Sequence, residues 1–200
     1  MHHIVKKETQ GETITEVKFD MEFYFKSALD EYLKVADMKL TKAASPFVPR
    51  IPSEEMDKLM TQEGKLAKHA ASLIMKLMYG VRMAWPHLSV VVNRLSSQIT
   101  RWTADSDRRL HRVYCYINDA LDMKLTGSLS TADVHGARLI AWPDADHNGD
   151  VMDTKSTRGF FLELAGKDGR AFPLSWGSRK QGSSAQHSAE AEIVSMVTCV

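Results

Sequence analysis

Residues 141–156, "AWPDADHNGDVMDTKS", bring together four aspartates, an asparagine and a glycine, all of which favour a loop that presents oxygen atoms. From Asp144 onward the segment follows the D-x-D-x-N-G opening of an EF-hand calcium loop. The twelfth position of such a loop should be a glutamate that binds calcium through both oxygens, but Lys155 stands there. The sequence on either side is typical of strands and not of helices. A calcium-binding module is therefore the least favoured interpretation of this segment.

A second interpretation is that Asp144 is a catalytic metal ligand. Enzymes that cut phosphodiesters with two magnesium ions need several carboxylates from different elements of the fold. Asp144 follows the strand-like run "RLIAW", and the final helical segment offers Glu190 and Glu192. Taken alone, however, an aspartate in a loop rich in glycine and asparagine is most often a turn residue. The residues themselves leave both interpretations open.

The elements that must position these carboxylates follow from hydrophobic periodicity. Four segments carry apolar residues at helical spacing, and we predict that each buries this face. The predicted faces are Phe25, Leu29, Tyr32, Leu33 and Ala36; Leu66, Ala70, Leu73, Ile74, Leu77, Met78 and Val81; Leu88, Val91, Val92, Leu95 and Ile99; and Leu110, Val113, Tyr114, Ile117 and Leu121. Asp20 is a candidate cap for the first helix, and Gly80 a candidate end for the second. Residues 41–55 contain three prolines and are predicted to form a connector.

After Leu121 the sequence becomes strand-like. Short, partly alternating runs are separated by Ser, Thr and Gly, and Asp168-Gly169 is a hairpin signal between two of them. Residues 183–200 return to helical spacing. We therefore predict an α+β protein, with a boundary near residues 122–135. Residues 1–19 show one weak alternation, which indicates an edge strand.

The amino-acid composition limits where in the cell the protein is expected and which partners it is expected to bind. The formal net charge is +1, so no overall basic field points to nucleic acid. Two cysteines, Cys115 and Cys199, support neither a disulfide scaffold nor a zinc site. No apolar run approaches the roughly 18 residues of a membrane span. We expect an intracellular, cytoplasmic protein without a membrane partner, with a virus-like particle or the nucleus as alternative locations.

Four short motifs follow one another in the last third of the chain: "DADHNGD", "KSTRGFFLEL", "LSWGSRKQ" and "SAEAEIVSM". In this order and at this spacing they resemble the ribonuclease H region of copia-type LTR retrotransposon Pol polyproteins. That region has an aspartate-rich loop, a "KSTSG" segment, a "SWKSKKQ"-like strand end and an "EAE" helix start. Residues 72–129 are similar to the family's connection between polymerase and ribonuclease H, and residues 24–49 to its polymerase thumb.

The resemblance implies a fold and a division of the chain. An N-terminal helical thumb and connection segment would be followed by a partial ribonuclease H-like mixed sheet with one packed helix. Residues 1–55 would form the thumb-like segment and its proline-rich connector. Residues 56–123 would form the helical connection region, and residues 124–200 a truncated ribonuclease H-like domain.

The resemblance also implies a site. The family's first catalytic aspartate falls on Asp144 and its catalytic glutamate on Glu192, and both would bind Mg²⁺ or Mn²⁺ in a two-ion site. The reaction would be hydrolysis of RNA in RNA–DNA hybrids, with the polymerase portion of the same polyprotein as a partner. The family's third and fourth acidic residues have no counterpart before Val200. We therefore expect an incomplete ligand set and an enzyme that is weak or inactive.

Basic residues before the strands allow a further interpretation. Arg101, Arg108, Arg109 and Arg112 cluster in two helical segments and are candidate contacts to the phosphates of a hybrid. Nearby aspartates dilute this charge, so an ordinary solvated helix face remains an alternative. A non-catalytic nucleic-acid-binding remnant is thus the second function that the sequence allows.

Overall fold

The computed structural model describes residues 2–9, 11–146 and 157–180, and the chain divides into two compact units. One unit consists of residues 20–123. The other combines residues 1–19 with residues 124–200. The described residues contain five α-helices and six β-strands, which confirms the predicted α+β class. Within the same residues, no helix combines the length and the apolar character that crossing a membrane requires.

The unit of residues 20–123 is helical. Its helices are α1 (Glu22–Val35), α2 (Ser53–Thr61), α3 (Ala67–Met83), α4 (Ser89–Ser96) and α5 (Ala104–Asp119), with 3₁₀ turns at Pro86–Leu88 and Ile99–Arg101. Most residues of the four predicted apolar faces are buried, as amphipathic helices around one core require. Leu33 differs: it lies at the edge of the α1 face and is 44% exposed.

Two sequence predictions about this unit need correction. The predicted connector ends before residue 55, because α2 begins at Ser53 directly after Pro52. Proline suits this place, since the first turn of a helix has no acceptor for its N–H groups. Gly80 does not end α3, which continues to Met83. Its role is packing: a methyl group at Gly80 would lie 2.8 Å from Cε1 of Phe25 and closer still to Cζ.

Aspartates and one threonine fix the helix starts. Thr103 accepts a hydrogen bond from the Ser106 amide, and Ser106 Oγ accepts one from the Thr103 amide, so the two form a capping box for α5. The N-cap residue of α1 is Met21 and not the predicted Asp20, although Asp20 accepts a hydrogen bond from the Glu22 amide at 2.9 Å. Asp107 lies on α5 but holds the residues just before α3, because its carboxylate accepts a hydrogen bond from the backbone amide of Lys65 at 2.6 Å.

The second unit contains two three-stranded sheets. Strands β1 (His2–Thr9), β2 (Glu12–Phe19) and β3 (Leu125–Ser130) form one sheet, and β4 (Arg138–Asp146), β5 (Thr157–Ala165) and β6 (Ala171–Lys180) form the other. A 3₁₀ turn at Thr131–His135 follows β3. Every pairing among the described strands is antiparallel. Residues 1–19 thus supply two strands where the sequence indicated one edge strand, and β2 pairs with β3.

The hairpin between β5 and β6 turns at Asp168-Gly169, as the sequence predicted. Both residues have positive φ, 56° and 75°, which a two-residue turn of this kind requires. The turn is held by the buried carboxylate of Asp133, which accepts the Lys167 amide at 2.7 Å and Nε of Arg170 at 3.2 Å. It also accepts the Ser130 amide at 2.7 Å. One carboxylate therefore joins the end of β3 to the turn between two strands of the other sheet.

Candidate functional site

Asp144 lies in β4, two residues before the strand ends, at the edge of the described part of its sheet. It stands opposite Gly159 of β5, which stands opposite Ser178 of β6. Residues that face each other in an antiparallel pair project from the same side of the sheet. The residue directly opposite Asp144 on β5 therefore contributes no side chain to this row. A Cβ atom at Gly159 would be 4.0 Å from that of Asp144, in ordinary van der Waals contact.

A row of aromatic residues crosses the same side of the sheet, beginning two residues before Asp144 on β4. Trp142, Phe161 and Trp176 are opposite one another on β4, β5 and β6. The rings of Phe161 and Trp176 are stacked, with centroids 6.0 Å apart and an interplanar angle of 18°. Trp142 is 56% exposed and donates Nε1–H to Glu163 at 2.9 Å. Asp144 therefore lies beside an aromatic row on the same side of the sheet and stands opposite a glycine.

The other predicted ligand, Glu192, lies outside the described residues, as does its neighbour Glu190. Within the described ranges, no group of three or more His, Cys, Asp and Glu side chains is arranged to hold a metal ion. Hard divalent cations take six or more oxygen ligands, or several carboxylates that bridge two ions. Asp144 fits one place in such a set, and its assignment as a magnesium or manganese ligand stays a prediction.

The structure gives most of the predicted nucleic-acid arginines contacts within the protein. Arg108 and Arg109 both bind the carboxylate of Asp105, at 2.8 Å and 2.5 Å, and Asp105 is only 1% exposed. Asp105 precedes them by three and four residues, which places all three side chains on one helix face. Asp105 is one of the aspartates expected to dilute the basic charge, and its spacing from Arg108 and Arg109 is also the signal for an ion pair.

Two of these arginines also hold the proline-rich connector against α5. Arg112 donates Nε–H to the carbonyl oxygen of Ser45 at 2.8 Å, and Arg108 donates Nη1–H to that of Pro49 at 3.3 Å. Arg101 lies exposed in the 3₁₀ turn Ile99–Arg101. The contacts of Arg108, Arg109 and Arg112 account for their positions without nucleic acid. The nucleic-acid role of the four arginines stays a prediction.

Comparison with known proteins identifies the kind of polyprotein that the chain resembles. Over 111 residues, 54% of the chain, the sequence is 36% identical to "Retrovirus-related Pol polyprotein from transposon RE2" of Arabidopsis thaliana. The chain is similar to a segment of a retrotransposon Pol polyprotein. Over the same length it is 33% identical to "Retrovirus-related Pol polyprotein from transposon RE1" of the same plant. The match covers 7% of the length of each of these relatives.

No family model matches the sequence, and no solved structure matches the fold. The similarity to retrotransposon Pol polyproteins therefore rests on sequence identity over about half of the chain.

Proposed function

We propose that the chain is a segment of a copia-type retrotransposon Pol polyprotein and that residues 124–200 are part of its ribonuclease H domain. The proposed reaction is the hydrolysis of the RNA strand of an RNA–DNA hybrid, with the polymerase portion of the polyprotein as a partner. The observation that carries the proposal is the 36% identity to a Pol polyprotein over 111 residues. The position of Asp144, exposed on a strand of a sheet, supports it.

In this proposal Asp144 and Glu192 would bind Mg²⁺ or Mn²⁺. Bound divalent ions supply an activated water and charge stabilisation to phosphodiester hydrolysis. The protein's part is to keep a carboxylate on a rigid strand and to leave room beside it. Asp144 is exposed on β4, and the residue that stands opposite it on β5 is Gly159.

A site with two acidic residues holds metal weakly, because each further carboxylate adds charge and fixes geometry. We therefore expect slow cleavage that depends on millimolar Mg²⁺ or Mn²⁺. The full chain is incubated with a hybrid whose RNA strand carries a fluorescent label, and products are separated on a denaturing gel. Asp144→Asn should reduce cleavage to background, because the amide replaces an anionic ligand with a neutral one.

Glu163→Gln is the matched control, since Glu163 is on the same side of the same sheet and glutamine can still accept from Trp142. It should cleave like the parent chain. Binding of Mn²⁺, followed by the electron paramagnetic resonance signal of the free ion, gives a readout that does not need turnover. Equal cleavage by the Asp144→Asn variant, or equal Mn²⁺ binding, would contradict the proposed role of Asp144.

A further inference from the structure

The outward face of α3 is basic and contains no acidic residue. The buried residues of this 17-residue helix share one side. The residues along the opposite side, which we call the α3 row, are Lys68, Ser72, Met75, Tyr79 and Arg82. Steps of four, three, four and three residues place them in one line along the helix. No Asp or Glu occurs anywhere in α3, although the chain has 25 acidic residues against 26 basic ones. The α3 row is therefore a local concentration of positive charge in a nearly neutral protein.

The positive charges stand at the two ends of the α3 row. Lys68 and Arg82 are exposed, and neither forms an ion pair within the ranges that the structure describes. Lys76, at the side of the row, differs because it is paired with Glu31 of α1. At 1.5 Å of rise per residue, Lys68 and Arg82 are separated by about 21 Å along the helix axis. This length corresponds to about six nucleotides of a stacked strand, at 3.4 Å for each phosphate.

The middle of the α3 row presents apolar surface to solvent. Met75 is 63% exposed and Tyr79 is 52% exposed. The ring of Tyr79 lies against that of Tyr24, with centroids 5.1 Å apart and an interplanar angle of 46°. Tyr24 is held in place, since its Oη donates a hydrogen bond to the carbonyl oxygen of Lys76 at 2.9 Å. Tyr79 is thus an exposed ring that a second, fixed ring supports.

We propose that the α3 row binds single-stranded nucleic acid, with Tyr79 stacking on an unpaired base and Lys68 and Arg82 contacting phosphates. Basic side chains neutralise the charge of the backbone, and exposed aromatic rings stack on bases that have left a helix. An acidic peptide could pair with the two cations but has no base for Tyr79 to stack on. A duplex could pair with them too, but its base faces are covered by the neighbouring base pairs. The combination of charge and ring therefore favours an unpaired strand.

This surface is independent of the site proposed at Asp144. It belongs to the helical unit, whereas Asp144 belongs to the other unit. Binding of a single strand needs neither a metal ion nor hydrolysis, and the partner is not an RNA–DNA hybrid. The α3 row also differs from Arg108 and Arg109, whose side chains are bound to Asp105. Either proposal can therefore fail without the other.

The test is the fluorescence anisotropy of a short, labelled single-stranded RNA, titrated with the full chain at low salt in a metal chelator. The parent protein should bind, and its affinity should fall as salt is added. Tyr79→Ala should weaken binding by about 5–150-fold, as loss of one base–aromatic stack does. Tyr79→Phe keeps the ring and should bind like the parent. Arg82→Gln should reduce the slope of log affinity against log salt by about 0.7, because one phosphate contact is lost.

Two matched controls test whether any exposed cation or ring gives the same result. Lys34 is exposed in the last turn of α1, as Arg82 is in the last turn of α3, so Lys34→Gln is the control for Arg82→Gln. Phe23 is 88% exposed on α1, so Phe23→Ala is the control for Tyr79→Ala. Neither control should change the affinity for RNA or its salt dependence.

Several results would overturn the proposal. One is the absence of binding by the parent protein at low salt, and another is an equal loss in Arg82→Gln and Lys34→Gln. Equal affinity for an RNA duplex, or for labelled polyglutamate, would show attraction to charge without stacking and would reject the single-stranded partner. Circular dichroism verifies that each variant is folded. Arg82→Gln alters an exposed side chain, so its salt slope tests the surface even if Tyr79→Ala fails to fold.

Discussion

Gly80→Ala should destabilise the helical unit, although alanine is the better helix former. Two effects oppose each other at this position. Alanine in place of glycine inside a helix stabilises by about 0.8–1.0 kcal/mol. The new methyl group, however, would lie 2.8 Å from Cε1 of Phe25 and closer to Cζ, well inside van der Waals contact.

Phe25 has no room to move away from such a methyl group. Its side chain is fully buried, and its ring lies against Trp85 with centroids 4.1 Å apart. Trp85 is itself fully buried. Adding a methyl group to a packed core generally costs about 1–3 kcal/mol. The packing effect therefore exceeds the propensity effect, and we expect a net loss of about 1 kcal/mol in the free energy of unfolding.

The assay is urea unfolding followed by the helical circular dichroism signal, with free energies compared at an unchanged slope. Ser72→Ala is the matched control, because Ser72 is exposed on the same helix. It should be neutral or slightly stabilising. Phe25→Leu removes the ring atoms that the new methyl group would strike, so in that background Gly80→Ala should stabilise. A stabilising Gly80→Ala variant with Phe25 intact would refute the reasoning, and so would additive effects of the two changes.

Two further outcomes follow from carboxylates that accept several hydrogen bonds. Hydrogen bonds from the backbone amides of Lys167 and Ser130, and from Arg170, hold the pKa of Asp133 well below its ordinary value of 3.8. The stabilisation that the Asp133 carboxylate provides should be complete above pH 3.8 and decline as the pH falls below 3.8. The difference in unfolding free energy between the parent protein and Asp133→Asn should therefore shrink at pH 3. A difference that stays constant with pH in denaturant titrations would count against this. Asp107→Ala should cost about 1–3 kcal/mol, because it leaves the Lys65 amide and the indole N–H of Trp102, 2.6 Å from the carboxylate, without an acceptor. Urea unfolding checks this, and a loss below the error of the method would show that water replaces the carboxylate.

The helices of the fold were predictable because the sequence pattern that specifies each one lies within the helix itself. Each helix shows its buried face in the spacing of apolar residues, and Thr103 marks the start of α5. The pairing of β2 with β3 was not predictable, because the two strands are separated by the whole of residues 20–123 and neither has a distinctive pattern. Close approaches such as Phe25 on Gly80 are likewise absent from any local pattern, so Gly80 was misassigned as a helix end.

Some features of the candidate site were likewise predictable from the sequence, and others were not. The acidic sequence and the preceding strand run correctly placed Asp144 near the end of β4. That a glycine stands opposite it could not be foreseen, since this depends on how β5 pairs with β4. The ion pairs of Asp105 differ, because their three- and four-residue spacing is visible in the sequence while the net charge conceals it.

The pairing of β2 with β3 also sets an order of events in folding. Phe19 and Leu125 are partners in that pairing, so the first and last residues of the helical unit must come close together. Closing an unstructured loop of about 100 residues costs about 4 kcal/mol in chain entropy. Helices form from local contacts and form early. Once residues 20–123 have folded, the ends are already near each other, and the sheet can close without that entropic barrier. β1 and β2 precede the helices in the chain, and we expect β2 to pair with β3 only after residues 20–123 have folded.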